Sequence, residues 1–214
     1  MIISRVMTKN PIFVHPEMPL NDARSIMTKE KIGHLPVLDK QNALAGLLTK
    51  KDLLKAAPSP ATSLDVYEIS YLISKMTVKD VMVKTVTTVG ENEVVEEAAR
   101  IMADSDIGCL PVMRGTRLVG IITDTDLFHV FLNAFGVRHP GVRVTCSIRE
   151  KPGQLARLAH AFAEKEGNIV SLVTSEADDP SRRQATIKIS GISLNDAQAI
   201  VRSFDDMELE DIRE

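Results

Sequence analysis

The sequence has no tryptophan, two tyrosines and six phenylalanines among 214 residues, and only two cysteines, Cys109 and Cys146. Two cysteines exclude a disulfide framework, and neither lies in a Cys-x-x-Cys or Cys/His spacing that would suggest zinc. A large excess of one charge is missing as well. Lys and Arg total 26 against 29 Asp and Glu, a net charge of −3, which gives no reason to expect nucleic-acid binding. No apolar run approaches the ~18 residues that span a bilayer. The stretch from Met1 to Asn10 has no long apolar core behind Arg5, so it does not read as a signal peptide. These absences predict a cytoplasmic protein in a reducing compartment, with no membrane and no nucleic-acid partner. What is present is ordinary: 44% hydrophobic and 26% charged residues, enough for one or two globular cores. The nine methionines read as adaptable core filling.

The chain repeats itself, and a repeat decides the fold before any local pattern does. Ile32-Gly-His-Leu-Pro-Val37 matches Ile107-Gly-Cys-Leu-Pro-Val112, and Gly46-Leu-Leu-Thr-Lys-Lys-Asp-Leu53 matches Gly120-Ile-Ile-Thr-Asp-Thr-Asp-Leu127. Upstream, Val6-Met7 matches Val81-Met82, and Ala23, Ile26 and Met27 match Ala98, Ile101 and Met102. Each unit reads strand, helix, strand, strand, helix. Ile12–Val14 and Val86–Val89 are short β-branched or aromatic runs. Leu20/Ala23/Ile26/Met27 and Val95/Ala98/Ile101/Met102 each stripe one helical face. Leu35–Leu38 and Leu44–Thr49 then flank a polar turn at Asp39–Asn42, as Arg114–Thr116 does in the second unit. A small sheet with one apolar face cannot bury it alone, so the expectation is a pseudo-two-fold pair with two related clefts. The units fall at 1–57 and 76–135, joined by a linker over 58–75. In it, Lys55–Ser63 breaks regular structure and Leu64–Lys75 resumes as a helix behind Ser63. Leu127–Phe135 is apolar almost all round and is expected to be buried between units or subunits, hence a homodimer.

Gly136 and His139-Pro-Gly141 mark a second linker, 136–141, and the pattern changes over 142–214. Val142–Ile148 alternates as a strand, Glu150-Lys-Pro-Gly153 turns, and Leu155, Leu158, Ala159 and Phe162 form a helical stripe. Two further strands at Asn168–Val173 and Ala185–Ile189 flank a polar loop over Ser175–Arg183. A helix at Asn195–Phe204 and a weak strand at Glu208–Ile212 follow. The order βαββαβ predicts a ferredoxin-like sheet, making the chain α/β (α+β) overall.

Ile-Gly-x-Leu-Pro-Val followed by Gly-h-h-Thr-x-x-Asp-Leu, where h is apolar, occurs twice in the same order, and on these motifs residues 1–135 resemble a tandem pair of CBS domains. The segment 142–214 resembles an ACT domain, whose turn usually reads Asp-x-Pro-Gly-x-Leu before an Asn-Ile strand start. Here the turn is Glu150-Lys-Pro-Gly-Gln-Leu155 and the strand start is Asn168-Ile169, with Glu in place of Asp. The CBS resemblance implies a non-catalytic sensor of adenine nucleotides: AMP, ADP or ATP. Thr49 and Asp52 in one cleft, and Thr123 and Asp126 in the other, would contact phosphate and ribose. Adenine would lie against residues around Ile32, His34 and Pro36, and around Ile107 and Pro111.

The chemistry suits that implication, because Asp can accept both hydroxyls of a ribose diol and Thr can hydrogen-bond a phosphate at the start of a helix. Thr-x-x-Asp at a helix start is equally a capping box, in which both side chains satisfy backbone donors. Lys50 and Lys51 follow Thr49 whereas Asp124 and Thr125 follow Thr123, so the first cleft favours more phosphate charge and the second less, or a divalent cation such as Mg2+. His34 and Cys109 hold equivalent positions, but two ligands do not make a metal site.

The ACT resemblance implies an amino-acid ligand at Glu150, Gly153, Leu155 and Asn168, or a plain strand-to-helix turn that meets another subunit. The order CBS–CBS–ACT resembles acetoin utilization proteins and implies a role in acetoin or butanediol catabolism through a protein target the sequence does not name. The alternative is a ligand-free scaffold or oligomerisation module acting through protein partners. An enzyme is disfavoured: there is no metal motif, nucleophile elbow or Walker loop.

Overall fold

A computed structural model describes residues 1–56 and 75–214. The break expected after Ala56 and nearly all of the helix expected over 64–75 fall outside the described residues. The chain divides into two compact units, Met1–Leu127 and Phe128–Glu214.

In the first unit a 3-10 turn, Ile3–Arg5, precedes β1 (Thr8–Lys9), α1 (Leu20–Lys29), β2 (His34–Leu38), β3 (Leu44–Thr49) and α2 (Lys50–Lys55). After the undescribed segment come α3 (Val78–Val81), β4 (Val89–Gly90), α4 (Val95–Ser105), β5 (Cys109–Arg114) and β6 (Arg117–Thr123). The helical stripes set the packing: α1 buries Leu20, Ala23 and Met27, and α4 buries Val95, Ala98 and Met102, the same three positions of each repeat. Each hairpin turns where its sequence permits a left-handed residue, at Asn42 (φ 60°) and Gly115 (φ 60°). In the first turn one Asp39 carboxylate oxygen accepts the Gln41 and Ala43 amides, both at 2.9 Å.

The two repeats exchange their leading segments. Thr8 and Lys9 pair with Ile121 and Gly120 of the second hairpin, and Val83 bridges back to Leu47 of the first. Val14 then runs parallel to Val37 within repeat one, as Val89 does to Val112 within repeat two. This crossing explains why the matched Met7/Met82 and Gly46/Gly120 recur together. A Cβ on Gly46 would meet Met82 Sδ at 2.5 Å, and one on Gly120 would collide with Met7 Sδ. The two sites differ in what must yield. Gly46 also faces the Val83 carbonyl oxygen at 2.9 Å, an oxygen that accepts the Leu47 amide, whereas at Gly120 the nearest atoms all belong to a flexible Met. Gly46→Ala is therefore expected to destabilise this unit by about 2–3 kcal/mol and Gly120→Ala by about 1 kcal/mol, compared by denaturant midpoints.

The strand expected at Ile12–Val14 is a correction. Only Val14 pairs, while Ile12 and Phe13 are each 43% exposed. Pro11 and Pro16 flank the run, and proline has no N–H to extend a ladder. In the second repeat Val86–Val89 likewise shrinks, to Val89–Gly90.

Helix α5 (Asp124–Ala134) begins in the first unit and crosses into the second. It carries the apolar run, yet no residue of it is buried in the single chain: Phe128 is 66% exposed and Phe131 52%, the latter stacked on Phe135 at 4.4 Å. The unit boundary precedes the linker expected at 136–141 because the chain after α5 already packs in the second unit. A Cβ on the buried Gly136 would lie 3.0 Å from Val170.

The second unit continues with β7 (Val142–Arg149), α6 (Gln154–Ala163), β8 (Asn168–Glu176), β9 (Arg182–Ser190), α7 (Leu194–Arg202) and β10 (Met207–Arg213). The antiparallel sheet has the order β10-β7-β9-β8, the ferredoxin-like arrangement the element order predicts. Alternation along β7 and β9 sends Val142, Val144, Cys146, Ile148, Ala185, Ile187 and Ile189 into one core with Leu158, Phe162, Ala197 and Val201 of the helices. The loop expected over Ser175–Arg183 is shorter, residues 177–181. Asp179 caps the turn by accepting the Ser181 amide on its side chain (2.8 Å) and the Arg182 amide on its carbonyl (2.9 Å). The tail strand forms in full despite its acidic residues, with Asp211 paired to Arg143 (2.9 Å).

Candidate functional site

Where β3 ends and β5 begins, the first unit opens a cleft of about 480 Å³. Repeat one contributes His34, Thr49, Lys50, Lys51, Asp52 and Lys55; repeat two contributes Val83, Thr85–Thr87 and Asp106–Cys109. Strand register explains the gathering: His34 pairs opposite Thr49 and the Lys50 amide donates to the Gly33 carbonyl, which fixes the chain where it leaves the sheet for α2. Of the residues singled out in the sequence, Thr49, Lys50, Asp52, His34 and Ile107 come together here. Ile32 packs against the repeat-one core, and Pro36 and Pro111 are buried within β2 and β5; none of these lines the cleft. Neither do Thr123 and Asp126. The far wall, Val83 and Thr85–Thr87, escaped the sequence reading, because only the exchange of leading segments carries it across; the matched Val81-Met82 was its sequence signal. A larger cleft of about 570 Å³ lies at the turn end of the hairpins, lined by Asn10, Phe13, Asn42 and Arg117 among others, and holds none of the expected residues.

Both Thr-x-x-Asp motifs close on themselves as capping boxes. The Thr49 amide and hydroxyl donate to one Asp52 carboxylate oxygen at 2.9 and 2.6 Å, and the Asp52 amide donates to Thr49 Oγ1 at 3.2 Å. Thr123 and Asp126 repeat this at 2.8, 2.8 and 3.3 Å. Thr77 and Asp80 form a third box at the start of α3, exposed and outside the cleft. The motif alone therefore does not mark a ligand site. What distinguishes Thr49 and Asp52 is their place on the cleft wall, with Asp52 using one oxygen for the cap and the other free of any such bond.

The charges around this wall are mixed. A Cβ on Gly108 would stand 3.2 Å from Asp124 Oδ2 and 3.9 Å from His34 Nε2, so the two side chains flank Gly108. Burial lowers the His34 pKa below its ordinary 6.5; Asp124 and Asp52 pull it up and Lys50 pushes it further down. Cys109 is pushed up to about 12, first by burial and then by Asp124 and Asp52, so its thiol stays protonated at neutral pH. No group of three or more His, Cys, Asp or Glu side chains able to hold a metal occurs among the described residues.

A neutral, half-buried His34 is protonated more readily in the unfolded chain. Its contribution to stability is complete above pH 6.5 and is lost as pH falls through that value toward the lower folded one. His34→Asn is expected to flatten the fall in melting temperature between about pH 6.5 and 5, read by calorimetry at half-unit steps.

In the second unit, Gly153 (φ 87°) opens α6, and Glu150 pairs with Arg183 at 2.5 Å. Asn168 is in register with Ser190 at the other end of β9. The β9 partners of Glu150 and Asn168, Arg183 and Ser190, are seven residues apart, about 23 Å along the strand, so the four expected amino-acid-site residues are not brought together within the chain. The physical reason is that α6 carries the chain back along the sheet before β8 starts.

With this geometry in view, comparison with known proteins identifies the class. The CBS domain family matches residues 3–59 and 78–133, and the TTHA0829-like ACT domain matches residues 140–213. The chain belongs to the CBS-domain family, as a tandem CBS pair followed by an ACT domain. Among solved structures, it is similar to AcuB of Vibrio cholerae, assigned to acetoin utilization: 32% identity over 64% of this chain and 95% of that one, TM-score 0.54. It is similar also to the CBS pair of protein MJ0100, solved with 5′-methylthioadenosine and S-adenosyl-L-methionine (29% identity, 61% and 95% coverage, TM-score 0.52). A third similar structure is CBSX2, solved with AMP (28% identity, 61% and 96% coverage, TM-score 0.51). A curated relative is the L-aspartate semialdehyde sulfurtransferase of Methanocaldococcus jannaschii, 29% identical over 61% of this chain. The chain spans about a quarter of the length of the first such relatives, 23%, 30% and 22%.

Proposed function

We propose that the protein is a non-catalytic regulator that binds an adenine nucleotide, AMP, ADP or ATP, in the cleft between its CBS repeats. The observation that carries this reading is the gathering of Thr49, Asp52, Lys50 and His34 with Ile107 and Cys109 from the other repeat in one cleft of about 480 Å³, room enough for a nucleotide. The ligands held by the MJ0100 pair and by CBSX2 support the adenine class. Because both repeats line the cleft, a ligand that favours one arrangement of the repeats shifts the population, with a coupling of ~1–3 kcal/mol to a distant surface. The target is a protein partner. Likeness to AcuB supports acetoin or butanediol catabolism as the pathway, and the exposed Phe128 and Phe131 support a homodimer, checked by mass in solution. Mg2+ belongs to the reading as a companion of the more acidic second site, where Asp124 replaces Lys50.

The second reading, a ligand-free scaffold, is favoured by the closed capping boxes. Calorimetric melting with AMP, ADP or ATP, with and without Mg2+, separates the two. Ligand at a hundred times its dissociation constant supplies ~2.7 kcal/mol, expected to raise the midpoint by roughly 5–10 °C. An unmoved midpoint with all three nucleotides leaves the scaffold.

A further inference from the structure

Three ammonium groups, Lys50, Lys51 and Lys55, line the cleft, and none forms an ion pair among the described residues. Against them the wall sets two carboxylates, Asp52 and Asp106, with one oxygen of Asp52 occupied by Thr49. The related position of the second repeat is built the opposite way. Asp124 stands where Lys50 stands, accepts the Thr125 amide at 2.6 Å and its hydroxyl at 3.2 Å, and turns its other oxygen toward Gly108. The cleft therefore joins two kinds of lining: Ile107, Gly108 and Cys109 from repeat two, with Asp124 Oδ2 beside Gly108, and the lysines of α2 from repeat one.

Resting on the nucleotide reading above, we propose that this cleft is specific for a polyphosphate tail: it takes one nucleoside di- or triphosphate per chain, adenosine toward Ile107–Cys109 and phosphates toward Lys50, Lys51 and Lys55. An unpaired ammonium in a half-open cleft gains most from the ligand that brings the most negative charge, and two additional phosphates can reach lysines that a monophosphate leaves unmatched. The same charge balance discriminates against S-adenosylmethionine, whose sulfonium and ammonium meet like charge, and leaves 5′-methylthioadenosine with no tail for the lysines to hold. This separates the chain from the similar MJ0100 pair, whose ligands are those two. Asp124 repels phosphate at the second position, so the two related positions do not fill alike.

The test is titration calorimetry of the full chain, free of Mg2+, with ATP, ADP, AMP, 5′-methylthioadenosine, S-adenosylmethionine and inorganic tripolyphosphate. The expected order is ATP, ADP, AMP, with roughly 10–100-fold between first and last and one ATP per chain. The Lys51→Glu/Lys55→Glu double variant, altered only at exposed positions, is expected to collapse the ATP advantage to under about threefold, and Lys51→Arg to keep it. AMP binding as tightly as ATP, or S-adenosylmethionine matching it, overturns the specificity and leaves the nucleotide reading standing. Tripolyphosphate binding that the double variant loses, with no adenine compound bound, keeps the phosphate site and removes the nucleotide. If none of the six binds, both fall.

Discussion

Asp52→Ala is expected to erase the nucleotide-induced rise in melting temperature while lowering the ligand-free midpoint by only a few degrees. The second effect is the lost capping box, about 1 kcal/mol, and for a chain of this size that is roughly 2–4 °C. The first follows from the nucleotide binding proposed above, in which Asp52 accepts from the ribose diol. Two internal controls make the comparison decisive. The Thr77 amide and hydroxyl donate to one Asp80 carboxylate oxygen as Thr49 does to Asp52, but away from the cleft, and Asp126 closes its box with Thr123 without lining it. Asp80→Ala and Asp126→Ala are each expected to lower the ligand-free midpoint and to leave the full ATP response. A response that survives Asp52→Ala, or that Asp80→Ala removes just as well, means the aspartates act only as caps. Calorimetry is the suitable probe, since the sequence has no tryptophan and both tyrosines fall within 57–74.

The paired motifs were legible in the sequence because a repeat supplies its own alignment: Gly46 with Gly120, Thr49 with Thr123 and His34 with Cys109 all fall in equivalent strand positions. The helical stripes were legible because burial follows spacing, and Leu20, Ala23 and Met27 are buried as the period of 3.6 requires. What local pattern does not carry is which repeat's segment completes which hairpin. Val83 and Thr85–Thr87 belong by sequence to repeat two and by geometry to the cleft that holds Thr49, since pairing between Leu47 and Val83 is a long-range contact. The same limit applies to the second unit. Glu150 and Asn168 fit one family motif, yet the return of α6 along the sheet separates them, and only strand register reveals it. Short β-branched runs also mislead when proline flanks them, as at Ile12–Val14, because propensity is read from side chains and pairing needs backbone donors.

Gly141→Ala is expected to destabilise the second unit by about 3–4 kcal/mol and to leave the first unit intact. Gly141 enters β7 at φ 138°, where a side chain is strained, and its Cβ would fall on the Ile189 carbonyl oxygen, with that carbonyl carbon at 2.9 Å and Ser190 Cα at 3.2 Å. These are backbone atoms of the strand that pairs with Val142, so they cannot yield as a methionine can; the end of the β7–β9 ladder must move. The chain contains its own reporters for telling the two units apart. Cys109 lies in the first unit and Cys146 in the second, 4% and 0% exposed, and burial pushes their thiols up to about 12 and about 11. Protonated and buried, neither reacts with an alkylating reagent except through opening of its own unit, so the labelling rate at each reads that unit's opening free energy. Gly141→Ala should accelerate labelling of Cys146 by roughly 10²–10³-fold with Cys109 unchanged, and Gly46→Ala should do the reverse, accelerating Cys109 alone. Equal acceleration at both cysteines in either variant would mean that the two units open as one, and that a change of state in the cleft reaches the ACT domain through shared stability.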